Sequence, residues 1–201
     1  IAVLGVSSGG YLAAAVGLTG DRQTAFDAPE LGNAQTSSAV QAAVLWSAPV
    51  DFASLDRQLR AAGCPPATPP HDDRRSAASR WLGEPVGAGG AKARAANLLR
   101  QARQPSATPF LLVHGTADCT VPSAQSQTLH RMLRRAGGTS TLTLVRGMGH
   151  LDSRYAKARI RATINFLDRT LGRPAPQPHG SQEQPVQPKA TGTTRQQATA
   201  P

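Results

Sequence analysis

The sequence predicts an α/β fold, a parallel sheet flanked by helices. Short apolar runs recur along the chain, and two of them, Ile1 to Val6 and Val40 to Trp46, read as buried strands. Helix-patterned segments separate them, the arrangement that produces parallel strands. Glycine-rich or acidic turns follow directly on three of the runs, at the strand ends where active sites of such sheets lie.

The elements follow in order. Ile1 to Val6 is an apolar run that passes into glycine, and it reads as a buried strand. Gly9 to Val16 reads as a helix ending near Gly17 or Gly20. Residues 19–38 are polar and irregular. Val40 to Trp46 is the second strand, running into Ser47-Ala48-Pro49-Val50-Asp51-Phe52. Residues 53–108 form a long insert with a proline cluster at Pro65-Pro66 and Pro69-Pro70, and with helical pieces expected at Arg74–Leu82 and Ala91–Ala102. Phe110 to His114 is the third strand. Ser123 to Ala136 is a helix with Leu129, Met132, Leu133 and Ala136 on one face, closed by Gly137-Gly138. Thr141 to Val145 is the fourth strand. Tyr155 to Leu171 is the last helix, and its periodicity predicts that Ile160, Ile164, Leu167 and Leu171 face the core while Arg154, Lys157, Arg159 and Arg161 lie mostly off that stripe. From Gly172 to Pro201 the chain is rich in Pro, Gln and Thr, and it reads as a disordered tail after a catalytic unit over 1–171.

Composition excludes some functions. The formal net charge is +10, and of the 22 basic residues only Lys92, Lys157 and Lys189 are lysine. These charges are scattered rather than grouped in a stripe, and aromatic residues make up only 4%, so a nucleic-acid face is not expected. No apolar run is long enough to span a membrane. Paired histidines at helical spacing and C-x-x-C pairs are both missing, so no metal is expected. Dinucleotide and phosphate-loop signatures are missing too, so no cofactor is expected. The two cysteines are Cys64 in the insert and Cys119 beside Asp118. A bond between them would tie the insert to the acid turn and favour an extracellular location. The alternative is two unrelated buried thiols.

The chemistry sits in three short stretches. Gly5-Val6-Ser7-Ser8-Gly9 has the G-x-S-x-G form of a nucleophile elbow, in which Gly5 and Gly9 would allow the sharp strand-to-helix turn and Gly10 would allow close helix packing. A serine hydroxyl needs a base to become a nucleophile, and the base needs an orienting group. Asp118 in His114-Gly115-Thr116-Ala117-Asp118 and His150 in Gly147-Met148-Gly149-His150 supply those types. The order Ser7, Asp118, His150 is that of an α/β-hydrolase triad. The backbone N–H of Ser8 would face the developing oxyanion. His71, His130 and His179 are weaker candidates, and His114 reads as shaping the acid turn.

These residues resemble one known group. Gly5-Val6-Ser7-Ser8-Gly9-Gly10-Tyr11-Leu12-Ala13-Ala14 is similar to the serine elbow of the BD-FAE (bacterial feruloyl/acetyl esterase-like) branch of the α/β-hydrolases. Val40 to Phe52 resembles that branch's next strand, Ala78 to Gly83 its cap-region helix, and Pro109 to Pro122 is the most specific stretch. The resemblance covers 1 to about 171. It implies a serine carboxylesterase with Ser7 as nucleophile, Asp118 as acid and His150 as base, acting through an acyl-enzyme on a small-molecule or carbohydrate-linked ester. Val6 and Leu151 depart from the family's usual residues beside the nucleophile and after the histidine. The family also carries an H-G-G-type oxyanion loop and several strands ahead of the elbow. The resemblance therefore reads this chain as the C-terminal portion of the fold, with one side of the first strand unpaired and some apolar helix faces uncovered. A prolyl-oligopeptidase-type peptidase shares Ser8-Gly9-Gly10-Tyr11-Leu12-Ala13 and the two later motifs, and is the second reading. A truncated product without activity is the third. The acyl group and the oligomeric state are not legible.

Overall fold

The computed structural model describes residues 1–24 and 27–172. The expected tail therefore lies outside the described residues, apart from Gly172.

Four parallel strands, β1 (Ala2–Val6), β2 (Ala42–Trp46), β3 (Phe110–Gly115) and β4 (Ser140–Val145), form a sheet in that order. Each matches an apolar run to within one or two residues at either end. The register sets Gly5 opposite Leu45, and Leu45 opposite Leu112. Strand side chains alternate between faces, so Ala43, Leu45, Phe110 and Leu112 share one core while Ala42, Val44, Leu111 and Val113 share the other.

The larger core is closed by α1 (Ser8–Thr19) and α5 (Ala124–Arg135), whose Leu129 and Leu133 are buried as their spacing predicts. Buried parts of the insert complete it. The smaller core is closed by α6 (Ala156–Leu171) through Phe166.

Helix α6 departs from its expected orientation. Ile160, Ile164 and Leu171 are about half exposed, whereas Arg159, Thr163 and Phe166 are buried. Trp46 explains the rotation. Its indole Nε1–H donates to Thr163 Oγ1 at 3.1 Å, and the Arg159 guanidinium lies 5.2 Å from the indole ring centre. An indole N–H that is partly buried is satisfied by an acceptor, and a ring face attracts a cation, so these contacts favour the side of the helix that carries Thr163 and Arg159. Among the described residues β1 pairs only with β2, and its Leu4 is also about half exposed.

The insert is less helical than expected. The first piece shortens to α3 (Ala77–Leu82), where Ser76 Oγ accepts the Ser79 N–H at 3.0 Å and Gly83 ends the helix at φ 71°. The second stops early, as α4 (Ala91–Ala95), because the following chain is drawn to the end of the sheet. There the Leu98 N–H donates to the Val50 carbonyl at 3.0 Å, and Asn97 Nδ2 donates to Asp51 Oδ1 at 3.0 Å. An unexpected helix, α2 (Leu55–Ala61), buries Leu55 and Leu59. Two apolar residues one turn apart in a polar stretch are too few for a legible stripe.

Cys64 and Cys119 are joined by a disulfide, with Cα atoms 5.4 Å apart. The bond fastens the end of α2 to the turn that carries Asp118. The crosslink spans 55 residues, so loop-closure entropy gives it about 4 kcal/mol of stabilisation. A double Cys64→Ser, Cys119→Ser variant is expected to lose roughly that much in urea unfolding, with an unchanged midpoint as the contrary result.

Candidate active site

Ser7 sits on a forced corner. It leaves β1 at φ 53°, a left-handed value that a side-chain-bearing residue adopts only under constraint. Two backbone bonds hold it there. Its N–H donates to the Trp46 carbonyl at 2.9 Å, and its carbonyl accepts the Tyr11 N–H at 3.1 Å. Gly10 lets the helix descend onto the sheet, since a Cβ there would meet Ala48 Cβ at 2.7 Å. The expected role of Gly9 needs correcting. It has no positive φ, and a Cβ on it would meet nothing within 4 Å. The crowded position is Gly5, which faces the Gly9 carbonyl.

Asp118 and His150 come from the turns after β3 and β4 and meet Ser7 in one line. His150 Nε2 lies 3.0 Å from Ser7 Oγ, and His150 Nδ1 lies 2.8 Å from Asp118 Oδ2. The other carboxylate oxygen, Asp118 Oδ1, accepts the N–H groups of Thr120 and Val121, each at 2.9 Å. Burial alone would raise the pKa of this carboxyl. Hydrogen bonds from His114, His150 and the Val121 N–H outweigh it and hold Asp118 well below the usual carboxylate range. Asp118 is therefore ionised beside the imidazole.

His114 is fully buried and uses both ring nitrogens. Nε2 lies 2.8 Å from the Val121 carbonyl and Nδ1 lies 2.7 Å from Ser126 Oγ. A carbonyl only accepts, so Nε2 carries a proton and the ring braces the acid turn, as its place in the sequence suggests. Leu151, which follows His150, has φ 56°. That is a left-handed value, which glycine adopts without strain and which Leu151 holds here with a side chain.

The Ser8 N–H opens α1. It is one of the amides that a helix leaves without an internal acceptor, and it lies at the positive end of the helix dipole.

Ser7 borders a cavity of about 280 Å³. Its walls are mostly apolar. Tyr11, Phe52 and Trp81 come from three separate stretches and pack on one another as an aromatic cluster along this wall, with ring centres 5.1 to 6.0 Å apart. The Tyr11 hydroxyl is turned away and donates to the Ala96 carbonyl at 2.9 Å, and burial raises its pKa. His71 also lines this cavity. Its position between Pro70 and Asp72 carries no motif or periodicity that could have placed it there. Gln125 was equally illegible. Its Oε1 accepts the N–H groups of Val50 and Asp51 at 2.7 and 2.8 Å, fixing the start of the insert against α5.

The parallel sheet flanked by helices is part of an α/β-hydrolase fold. A family model named BD-FAE matches residues 1–133, and the chain belongs to that family. It is a hydrolase by lineage. Among solved structures, a truncated form of a carbohydrate esterase from gut microbiota is 23% identical with a TM-score of 0.62, over 85% of this chain and 59% of that one. An esterase from Thermogutta terrifontis is 25% identical with a TM-score of 0.60, over 89% of this chain and 57% of that one. A puromycin-hydrolyzing peptidase from Mycobacterium tuberculosis is 21% identical with a TM-score of 0.57, over 85% of this chain and 22% of that one. This chain thus spans less than three fifths of the length of these esterases. No curated protein matches in sequence. Among the described residues no helix is long and apolar enough to cross a membrane.

Proposed function

We propose that the site is a serine carboxylic-ester hydrolase acting through an acyl-enzyme. The hydrogen-bonded line from Asp118 through His150 to Ser7, opening on a mostly apolar cavity, carries this reading. The Asp118 carboxylate holds the proton of His150 on Nδ1 and leaves Nε2 free to take the proton of Ser7 Oγ. Ser7 Oγ adds to the ester carbonyl, and the Ser8 N–H stabilises the oxyanion. Protonated His150 then gives its proton to the departing alkoxide, releasing the alcohol. Water, deprotonated by the same nitrogen, cleaves the acyl-serine and frees the acid. The carbohydrate esterase among the structural neighbours favours a carbohydrate-linked ester as substrate.

The test compares p-nitrophenyl acetate with an aminoacyl p-nitroanilide, and follows labelling by an organophosphate. Ester hydrolysis is expected to exceed anilide hydrolysis. The phosphoryl group is expected on the peptide bearing Ser7 in mass spectrometry. Preferential anilide cleavage would point to a peptidase. Absence of both turnover and Ser7 labelling would remove the enzymatic reading.

A further inference from the structure

The cavity beside Ser7 does not stand alone. A second, of about 240 Å³, adjoins it on the same helix, and the two share Tyr11, Leu12 and Trp81 as walls. The first begins at Ser7 and Ser8, and the second continues past Ala15 and Val16 to Thr19. Ser8, Leu12, Ala15, Val16 and Thr19 recur at helical spacing and so lie along one face of α1. A groove along that face is about 18 Å long at 1.5 Å per residue. The proposed nucleophile stands at one end of it.

The groove is poor in polar groups. Those of the first cavity are Ser7, Ser8 and His71, and the His71 ring is tied through Nδ1 to Asp56 Oδ1 at 2.8 Å. The Tyr11 hydroxyl is committed to the Ala96 carbonyl. Thr19 Oγ1 donates to the Ala15 carbonyl at 2.9 Å, inside its own helix. Further polar residues enter only beyond Thr19, in the loop that closes the far end. Where the cavities meet, the fold leaves two large apolar side chains uncovered, Leu12 at 59% and Trp81 at 54% exposure. Exposed apolar surface continuous with an apolar cavity marks a binding groove. A sugar or a peptide would bring hydroxyl or amide groups that these walls do not satisfy. A hydrocarbon chain brings none, and an extended one reaches both cavities.

We propose that this groove is a subsite for an unbranched alkyl chain, which runs from the ester at Ser7 across Leu12 and Trp81 to Val16. Aliphatic esters of medium chain length are then the substrate class. This rests on the ester-hydrolase reading of the site. The chemistry suits a chain on either side of the ester, and a carbohydrate-linked ester would carry it on the acyl side.

Two series of esters separate these sources. Methyl butanoate, hexanoate and octanoate lengthen the acyl side. Butyl, hexyl and octyl acetate lengthen the alcohol side. Binding is measured by calorimetry and tryptophan fluorescence on the 201-residue chain carrying Ser7→Ala, so the result does not depend on turnover. In at least one series Kd is expected to fall about threefold for each added methylene. Adding Val16→Lys, which sets a charge in the second cavity, is expected to abolish that gain for the longer chains, whereas Val16→Leu is expected to keep it. Melting curves show whether each variant is folded. Leu12→Lys, at a more exposed position, repeats the test should Val16→Lys unfold the chain. Affinity that is independent of chain length in both series, or a gain that survives these charges, overturns the proposal. So does a dimer in sedimentation that Leu12→Lys dissolves, because a second copy would then occupy the groove. A gain that depends on Val16 in a chain whose Ser7 form hydrolyses no ester supports the groove while rejecting the ester-hydrolase reading.

Discussion

Asp118→Asn is expected to lower kcat for p-nitrophenyl acetate by about four orders of magnitude, with little change in KM. The reason lies in which atoms surround the carboxylate. Oδ1 is committed to two N–H donors, those of Thr120 and Val121 at 2.9 Å, so it must stay an oxygen. The amide nitrogen of an asparagine is therefore forced into the place of Oδ2, 2.8 Å from His150 Nδ1. An N–H group there makes Nδ1 an acceptor and moves the ring proton to Nε2. That nitrogen faces Ser7 Oγ at 3.0 Å and can no longer take its proton. The imidazole of His150 thus holds the wrong tautomer, and the same amide also loses the His114 Nε2–H, which lies 3.3 Å from the oxygen it replaces. Ser7→Ala in the same assay marks the floor, since it removes the attacking atom. A loss below tenfold for Asp118→Asn would show that Asp118 does not set the state of His150.

The same substitution has a signed effect on stability. The folded pKa of Asp118 is depressed. The ionised side chain therefore stabilises the fold at pH values above the unfolded carboxyl pKa of about 3.9, and this contribution is lost as pH falls toward the folded value. The melting temperature of the unsubstituted chain is expected to fall further than that of Asp118→Asn between about pH 5 and 2. Equal falls would mean that the carboxylate contributes nothing.

The convergence of Ser7, Asp118 and His150 was legible because each follows a run that reads as a strand, and strand ends of a parallel sheet converge. The aromatic cluster was not legible. Tyr11, Phe52 and Trp81 lie in stretches whose mutual placement depends on how residues 53–108 cross the end of the sheet, which no local pattern encodes. The pairing of His71 with Asp56 was lost for the same reason, since its two members belong to a polar helix and a proline-rich loop. Helix α6 shows a different limit. Its periodicity was read correctly as helical, but Ile160 and Ile164 face outward while Thr163 and Arg159 turn inward onto the part-buried indole of Trp46. An apolar stripe gives the helix period, while the partner decides which side is buried.

Gly5→Ala is expected to leave no folded protein, whereas Gly9→Ala, four residues away in the same turn, is expected to fold. A Cβ on Gly5 would lie 2.0 Å from the Gly9 oxygen, 2.3 Å from its carbonyl carbon and 2.7 Å from the Gly10 nitrogen. All three are backbone atoms, so no side chain can swing aside. The first turn of α1 cannot retreat either. Its Tyr11 N–H is bonded to the Ser7 carbonyl, and the Ser7 N–H is bonded to Trp46 across the sheet. Relief would require lifting α1 from β1 and β2, which exposes Ala13, Ala14 and Leu18 and breaks the larger core. Such a cost exceeds about 4 kcal/mol, against a total stability of about 5–15 kcal/mol for a domain. At Gly9 a methyl group meets nothing within 4 Å, and alanine is the better helix former by about 1 kcal/mol. Circular dichroism melts of the two variants decide the matter. A cooperative transition for Gly5→Ala within a few degrees of the unsubstituted chain would show that the elbow has room to relax. The positive φ of Ser7 would then reflect local preference and not a corner imposed by the packing of α1 on the sheet.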